Sequence, residues 1–415
     1  MRLAGLQKRL AYRGLKMSKH SNISKGKVKP KSLDTLTVHT SDAPDYNAGA
    51  VIPPIYQTST FNYPEEYSEA REQGVVHLYT RLGNPTLTLA AQGVAMLEGA
   101  ERGRVFSSGM AAISTGLLSL LRGGDEIVAL DELYGSSIAL MRDYLPHWGV
   151  HVKWVPAGES SNIMEMVGER TKVLYMETPT NPTLRVHDIA LWSKAAKSVG
   201  AILVVDNTFA TPVNQNPISL GANLVAHSAT KYLSGHSDLV AGVLVGSEKH
   251  FVDVDNIAAC LGGVLDPMGA FLLSRGLKTL GVRMKRHNEN GRAVSDDLDG
   301  HPKIDRIHYP GRYSREEEKI VGRQMQGRGG MVTIELKGGL KAAHKLMHRL
   351  KYFHSATSLG SVGSLVCLPL ETSHHQLSPE ERASRGIVDG MVRLSLGIED
   401  PSDLISDLRE ALSGV

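Results

Sequence analysis

Four short segments of this sequence carry side chains suited to one kind of chemistry. Lys231 closes the run Ser228-Ala229-Thr230-Lys231. A lysine amine in such a setting can condense with an aldehyde cofactor while the hydroxyls of Ser228 and Thr230 hydrogen-bond its phosphate. Asp206 ends the apolar run Ile202-Leu203-Val204-Val205, and a carboxylate there can pair with a protonated pyridine nitrogen and keep the ring an electron sink. Ser108-Gly109-Met110 opens an apolar helical segment, where free backbone N–H groups favour a phosphate and glycine permits close approach. Tyr134, in Leu133-Tyr134-Gly135, follows a strand end, so its ring can stack on a flat cofactor and its phenol can act as an acid. Each segment alone has a plain structural explanation, such as a surface lysine or a turn-capping aspartate. All four fall at carboxyl ends of predicted strands, and that joint placement points to a cofactor-dependent enzyme.

The frame that brings those strand ends together is legible in the pattern of apolar runs. Val105-Phe106 leads through Ser107-Ser108-Gly109 into an apolar helix over residues 110–121, and 126–130 is the next short strand. Residues 172–177 form another apolar run before a Pro/Asn turn, 188–199 read as a helix closed by Gly200, and 201–206 and 223–226 as strands. Short strands rich in Val, Ile and Leu, separated by helices, indicate an α/β fold with a mostly parallel sheet covered on both faces. Ligands bind beyond the carboxyl ends of such strands. Upstream, Pro53-Pro54 and Tyr63-Pro64 block helix, so residues 34–82 read as an extended arm that packs on something else. After residue 276 come a long polar helical stretch, a strand over 331–336, a helix over 342–350 and a strand over 391–396. The expected organisation is a basic, disordered leader over 1–33, the arm over 34–82, a cofactor-binding domain over 83–276 and a smaller α+β domain over 277–415.

Composition sets the outer bounds. A chain of 415 residues is long enough for two domains, and 41% hydrophobic with 21% charged residues and 42 glycines excludes a disordered chain. No run approaches the roughly 18 apolar residues needed to cross a bilayer, so no membrane span is expected. Cys260 and Cys367 lie far apart and outside any Cys/His metal spacing, so neither a disulfide framework nor a metal site is expected, and a cytoplasmic setting fits. The net charge of +3 conceals ten Lys and Arg residues before the first acid, Asp34. That leader is expected to be a poorly ordered tail rather than a nucleic-acid arm.

The segments Tyr79-Thr80-Arg81-Leu82-Gly83-Asn84-Pro85-Thr86, Ser108-Gly109-Met110-Ala111-Ala112-Ile113, Glu177-Thr178-Pro179-Thr180-Asn181-Pro182, Val205-Asp206-Asn207-Thr208-Phe209 and His227 to His236 together resemble the Cys/Met-metabolism family of pyridoxal-phosphate enzymes. That family includes cystathionine γ-synthase, cystathionine γ-lyase, methionine γ-lyase and the homoserine-ester sulfhydrylases. The likeness runs in one order over about nine-tenths of the chain, which is far more specific than any one motif. It implies the aspartate-aminotransferase-like fold (fold type I), pyridoxal 5′-phosphate as cofactor, an amino-acid substrate and a homotetramer of two active dimers. It further implies Lys231 as the Schiff-base lysine, Asp206 as the pyridine partner, Tyr134 as the stacking ring and Asn181 at the ring hydroxyl. Ser228, Thr230 and the backbone of Gly109 and Met110 would hold the phosphate, completed by Tyr79 and Arg81 from the arm of a neighbouring subunit. Val392-Arg393-Leu394-Ser395 matches the segment whose arginine binds the substrate α-carboxylate, and Ser358 is the second contact.

The reaction implied is γ-elimination or γ-replacement on a sulfur amino acid or homoserine ester in transsulfuration. Cystathionine γ-lyase or γ-synthase activity comes ahead of methionine γ-lyase or O-acyl-homoserine sulfhydrylase activity. Thr357 stands where cystathionine-specific members often carry glutamate, and Ser136 where bacterial methionine γ-lyases carry cysteine, so the chain departs from both patterns. A different class of reading is an inert scaffold acting as a binding protein; intact Lys231, Asp206 and Arg393 argue against it.

Overall fold

The structure, a computed structural model, describes residues 32–42, 49–62, 68 and 77–415. The leader expected over 1–33 therefore lies outside the described residues except for Ser32 and Leu33. The arm departs from the extended form expected of it at its start, where Leu33–His39 is a helix. Ser32 caps that helix by accepting from the Thr35 N–H, and Asp34 meets Lys285 on the helix Leu280–Asp297. A local cap and a tertiary partner thus supply what the Pro-rich composition does not show. Residues 49–62 are irregular, and the arm returns through a single bridge between Thr60 and Tyr79.

A seven-stranded sheet organises the first part of the chain: β1 (Arg102–Phe106), β2 (Glu126–Leu130), β3 (His151–Val155), β4 (Thr171–Glu177), β5 (Ile202–Asp206), β6 (Leu224–Ser228) and β7 (Gly242–Gly246), in the order β1-β7-β6-β5-β4-β2-β3. Strands β3, β2, β4, β5 and β6 run parallel, and β7 is antiparallel to both its neighbours. The central strands are apolar along their whole length because both faces are covered: Val173 to Met176, Leu203 to Val205 and Leu224 to Ala226 are all buried. The helices Pro85–Glu98, Gly109–Leu120 and Ile189–Ser198 supply that cover, each started by a capping side chain from Asn84, Ser108 or Asp188.

The second sheet has five strands in the order β10-β11-β12-β9-β8, with β8 (Ile304–His308), β9 (Met331–Leu336), β10 (His354–Ser355), β11 (Leu365–Cys367) and β12 (Met391–Ser395). Helices Gly339–Arg349 and Pro401–Ser413 turn Ala342, Ala343 and Leu346, and Leu404, Leu408 and Leu412, into a separate apolar core beneath it. The boundary expected at 276–277 falls in the last turn of the helix Pro267–Leu277, and we propose it as the junction of two domains. The layers meet where Thr333 Oγ1, on β9, donates to Pro182 O after β4 at 2.9 Å. Among the described residues no helix is long and apolar enough to cross a membrane, no group of His, Cys, Asp and Glu could hold a metal ion, and both cysteines are free.

Candidate active site

The carboxyl ends of β4, β5 and β6 open on a cavity of about 390 Å³. Lys231, Tyr134, Asp206, Ser228, Thr230, Gly109, Met110, Asn181, Ser358 and Arg393 all line it. Tyr79 and Arg81 do not; they line a separate surface depression with Gln57 and Pro267. There Tyr79 is 42% exposed, the Arg81 guanidinium sits 5.5 Å from its ring centroid, and Arg81 donates to Ala259 O.

Each strand end delivers one group. Lys231 follows β6, and its Nζ donates to Ser358 Oγ at 2.7 Å. Burial and then the nearby Arg393 charge push its pKa down to about 8, so a neutral, nucleophilic amine is accessible near neutral pH. Arg283 pins the backbone just beyond, donating to Tyr232 O and Gly276 O at 2.7 and 2.8 Å. At the end of β5, Asp206 is 6% exposed, and its Oδ1 accepts from the Thr208 N–H (3.0 Å) and hydroxyl (2.6 Å). Burial raises its pKa, while those two bonds and the charge of His227 act to keep it ionised. A cation in the cavity would add to the second influence.

β1 feeds the helix Gly109–Leu120, capped by the Ser108 hydroxyl, which accepts from the Ala111 N–H at 3.1 Å. The N–H groups of Gly109 and Met110 belong to the unpaired first turn, and the Ser228 hydroxyl makes no hydrogen bond among the described residues, so this corner fits a phosphate. A Cβ on Gly109 would lie 2.8 Å from Ser228 Cβ and 2.9 Å from its Cα, so any larger residue pushes the helix start away from β6. Gly109→Ala is therefore expected to weaken pyridoxal 5′-phosphate binding about tenfold in a titration of the apoprotein, the cost of a modest overpacking shift; unchanged affinity would detach this helix from the site. The Thr230 hydroxyl lines the cavity but is already engaged, donating to Ala241 O (3.2 Å) and accepting from the Ala241 N–H (3.0 Å).

Arg393 rises from β12 with 5% exposure. Its Nη1 donates to Asn181 Oδ1 (2.8 Å) and Nη2 to Ser358 O (3.0 Å), leaving Nε buried and without a partner. The guanidinium lines the cavity with only two of its five N–H donors engaged among the described residues, a donor set that fits a carboxylate. Ser358 holds a φ of 90°, a backbone state that costs a non-glycine residue energy and that clusters at binding sites. The ring of Tyr134 is 41% exposed over the cavity edge.

Four polar lining residues were not singled out by sequence reasoning: Glu177, Thr208, Thr372 and Ser373. Glu177 and Thr208 sat inside quoted motifs beside residues with more obvious chemistry. Thr372 and Ser373 come from the loop 369–377, which packs on the Tyr134 turn so closely that a Cβ on Gly135 would lie 2.1 Å from Ser373 O. Gly135 was the only local signal of that approach.

The fold is that of the aspartate-aminotransferase-like, fold type I pyridoxal-phosphate enzymes, and the donor set at the cavity suits the cofactor. The chain belongs to the Cys/Met metabolism PLP-dependent enzyme family, whose model matches residues 34–413. It is 42% identical to the L-methionine gamma-lyase of Pseudomonas putida over 393 residues, 93% of this chain and 98% of that protein. It is 39% identical to the cystathionine gamma-lyase of Bacillus subtilis over 387 residues, 92% of this chain and 99% of that one. The solved structure of cystathionine gamma synthase from Xanthomonas oryzae pv. oryzae in complex with cystathionine superposes with a TM-score of 0.88 at 38% identity, covering 93% of this chain and 98% of that one. The chain is thus a PLP-dependent enzyme of cysteine and methionine metabolism.

Proposed function

We propose that this enzyme carries out γ-elimination or γ-replacement on a sulfur amino acid or homoserine ester, with cystathionine γ-lyase or γ-synthase chemistry as the first reading. The observation that carries the proposal is the convergence of Lys231, Asp206 and Arg393, from three different elements, on one cavity. Pyridoxal 5′-phosphate, when bound, would supply an electron sink for negative charge developing at the substrate α-carbon. Asp206 holds the ring nitrogen protonated and Asn181 meets the ring hydroxyl. Gly109, Met110, Ser228 and Thr230 would hold the phosphate, with the Thr230 hydroxyl turning its one donor from Ala241 O to the phosphate. Arg393 and Ser358 seat the substrate α-carboxylate. The Lys231 amine takes the proton from Cα and moves protons along the carbon chain, and the Tyr134 phenol protonates the departing γ-sulfur or oxygen.

Tyr79 and Arg81 fit this scheme as donors to a second copy's phosphate. They stand exposed on the arm, away from their own cavity, which supports an active dimer, two of which would make the proposed homotetramer. Two free cysteines and the absence of a membrane-crossing helix among the described residues fit a cytoplasmic enzyme.

A second reading has its own support. The hydroxyl-bearing residues at the cavity, Thr357, Thr372 and Ser373, present no charge to a substrate's far end. That favours an uncharged γ-substituent, as in methionine or O-acetylhomoserine, over the charged distal end of cystathionine. Incubating the holoenzyme with cystathionine, methionine, and O-succinyl- or O-acetylhomoserine plus cysteine, with products identified by mass, decides between them. The expected result is one substrate turned over at least about tenfold faster than the rest; no turnover of any would overturn the proposal.

A further inference from the structure

We propose that Glu177 is a positioning residue of this site: its carboxyl clamps the backbone of Tyr134 and so sets the height and tilt of that ring above Asp206. The inference rests on the reading of Tyr134 as the ring that stacks on the cofactor. Glu177 ends β4, lines the cavity and is 2% exposed. Among the described residues its carboxyl takes one hydrogen bond, from the Tyr134 N–H at 2.7 Å to Oε2. That bond ties the turn after β2 to the end of β4, 43 positions along the chain.

The clamp is specific in place as well as in partner. Glu177 and Asp206 are register partners on the parallel strands β4 and β5, so their side chains leave the sheet on the same face, one beside the other. Two buried carboxyls in that relation do not both carry charge without heavy cost. Burial and then the Asp206 charge hold Glu177 well above the usual carboxylate range, whereas Thr208 and His227 counter the effect of burial on Asp206. Glu177 is accordingly the neutral member of the pair, able to accept from an amide without competing for the cation that Asp206 is placed to hold. A side chain serving the core alone would be apolar at this depth, as Val173 to Met176 are along the same strand. The helix Gly135–Ala139 that Tyr134 begins has no side-chain cap, and Glu177 supplies the side-chain acceptor for the N–H that leads into it. A ring whose backbone is fixed to the floor of the site meets a flat ligand at one angle, which is the orientation that bond-breaking at a chosen carbon requires.

Glu177→Gln keeps the acceptor and removes the ionisable group; Glu177→Met keeps the volume and removes the acceptor. Both are compared as holoenzymes by melting temperature, by visible circular dichroism of the bound cofactor, and by cofactor dissociation constant. The expected result is that Glu177→Gln matches the parent. Glu177→Met should still fold, at a lower melting temperature than the parent, and show altered visible dichroism and about tenfold weaker cofactor binding, the scale of one buried N–H left without its acceptor. In a Tyr134→Ala background, which by itself must change the dichroism, Glu177→Met should add no further change. Equal behaviour of the Gln and Met variants, or a Met effect that persists in full without the Tyr134 ring, overturns the inference. A silent Tyr134→Ala instead removes the stacking role on which the inference stands.

Discussion

Lys231→Ala is expected to give a folded protein that stays colourless in pyridoxal 5′-phosphate and turns substrate over more slowly by on the order of a thousandfold, the scale of losing a positioned acid–base group. The reason is local. Lys231 is the sole amine among the residues that line the cavity, and the other basic side chain there, Arg393, carries a guanidinium and no amine to condense with an aldehyde. The neutral Lys231 amine is made accessible by desolvation, with its pKa near 8, and no neighbouring side chain can take over the condensation. Removing a half-buried ammonium whose one bond runs to Ser358 Oγ should cost little stability, so melting temperature separates a chemical loss from a folding loss. Borohydride reduction followed by peptide mass analysis gives the second check. A parent protein that carries no label at Lys231, or an alanine variant that still binds the cofactor covalently, would sink the assignment.

Arg393→Leu is expected to keep the visible band and lose kcat/KM by roughly 30- to 5000-fold, corresponding to about 2–5 kcal/mol for truncating one partner of a buried, hydrogen-bonded charge pair. The loss should fall mainly on KM, because the guanidinium holds the substrate's carboxylate rather than its reacting carbon. Arg393→Lys should recover little of it. A single ammonium cannot reach Asn181 Oδ1 and Ser358 O at once and still offer a free donor, as the three-nitrogen fork does. Steady-state kinetics on the best substrate decides the matter, and an unchanged KM in the leucine variant would remove Arg393 from the carboxylate site.

Much of the sheet could be read in advance because its central strands are buried on both faces and so show as unbroken apolar runs. The strands at 126–130 and 331–336 were bounded as observed, and β4 and β5 within one residue. What escaped was structure whose burial is one-sided or whose composition is weak. β3 lies at the sheet edge with His151 and Lys153 exposed, and β7 begins and ends in glycine. The short helix at Leu33–His39 was hidden by the arm's general composition. At the site, groups with chemistry of their own stood out beside strand ends. Glu177 did not, because an acid at a strand end reads as a solvated turn until its burial against Asp206 is known. Thr372 and Ser373 were out of reach for a different reason, since loop 369–377 arrives from a separate layer and no periodicity encodes where it lands. Tyr79 and Arg81 carry a motif that does not reach their own chain's cavity, and their proposed place is a neighbouring subunit's phosphate.

Arg393 stands on β12 of the C-terminal sheet, yet the amide it grips, Asn181, follows β4 of the other. On the proposed roles, an α-amino acid bound to the Arg393 guanidinium would act as a rivet across the seam between two layers, with its amine held on one side and its acid group on the other. A simple amine lacking the acid group would leave that seam unfastened, so the same proposal ties discrimination against the cell's many free amines to the way the two halves of the molecule join.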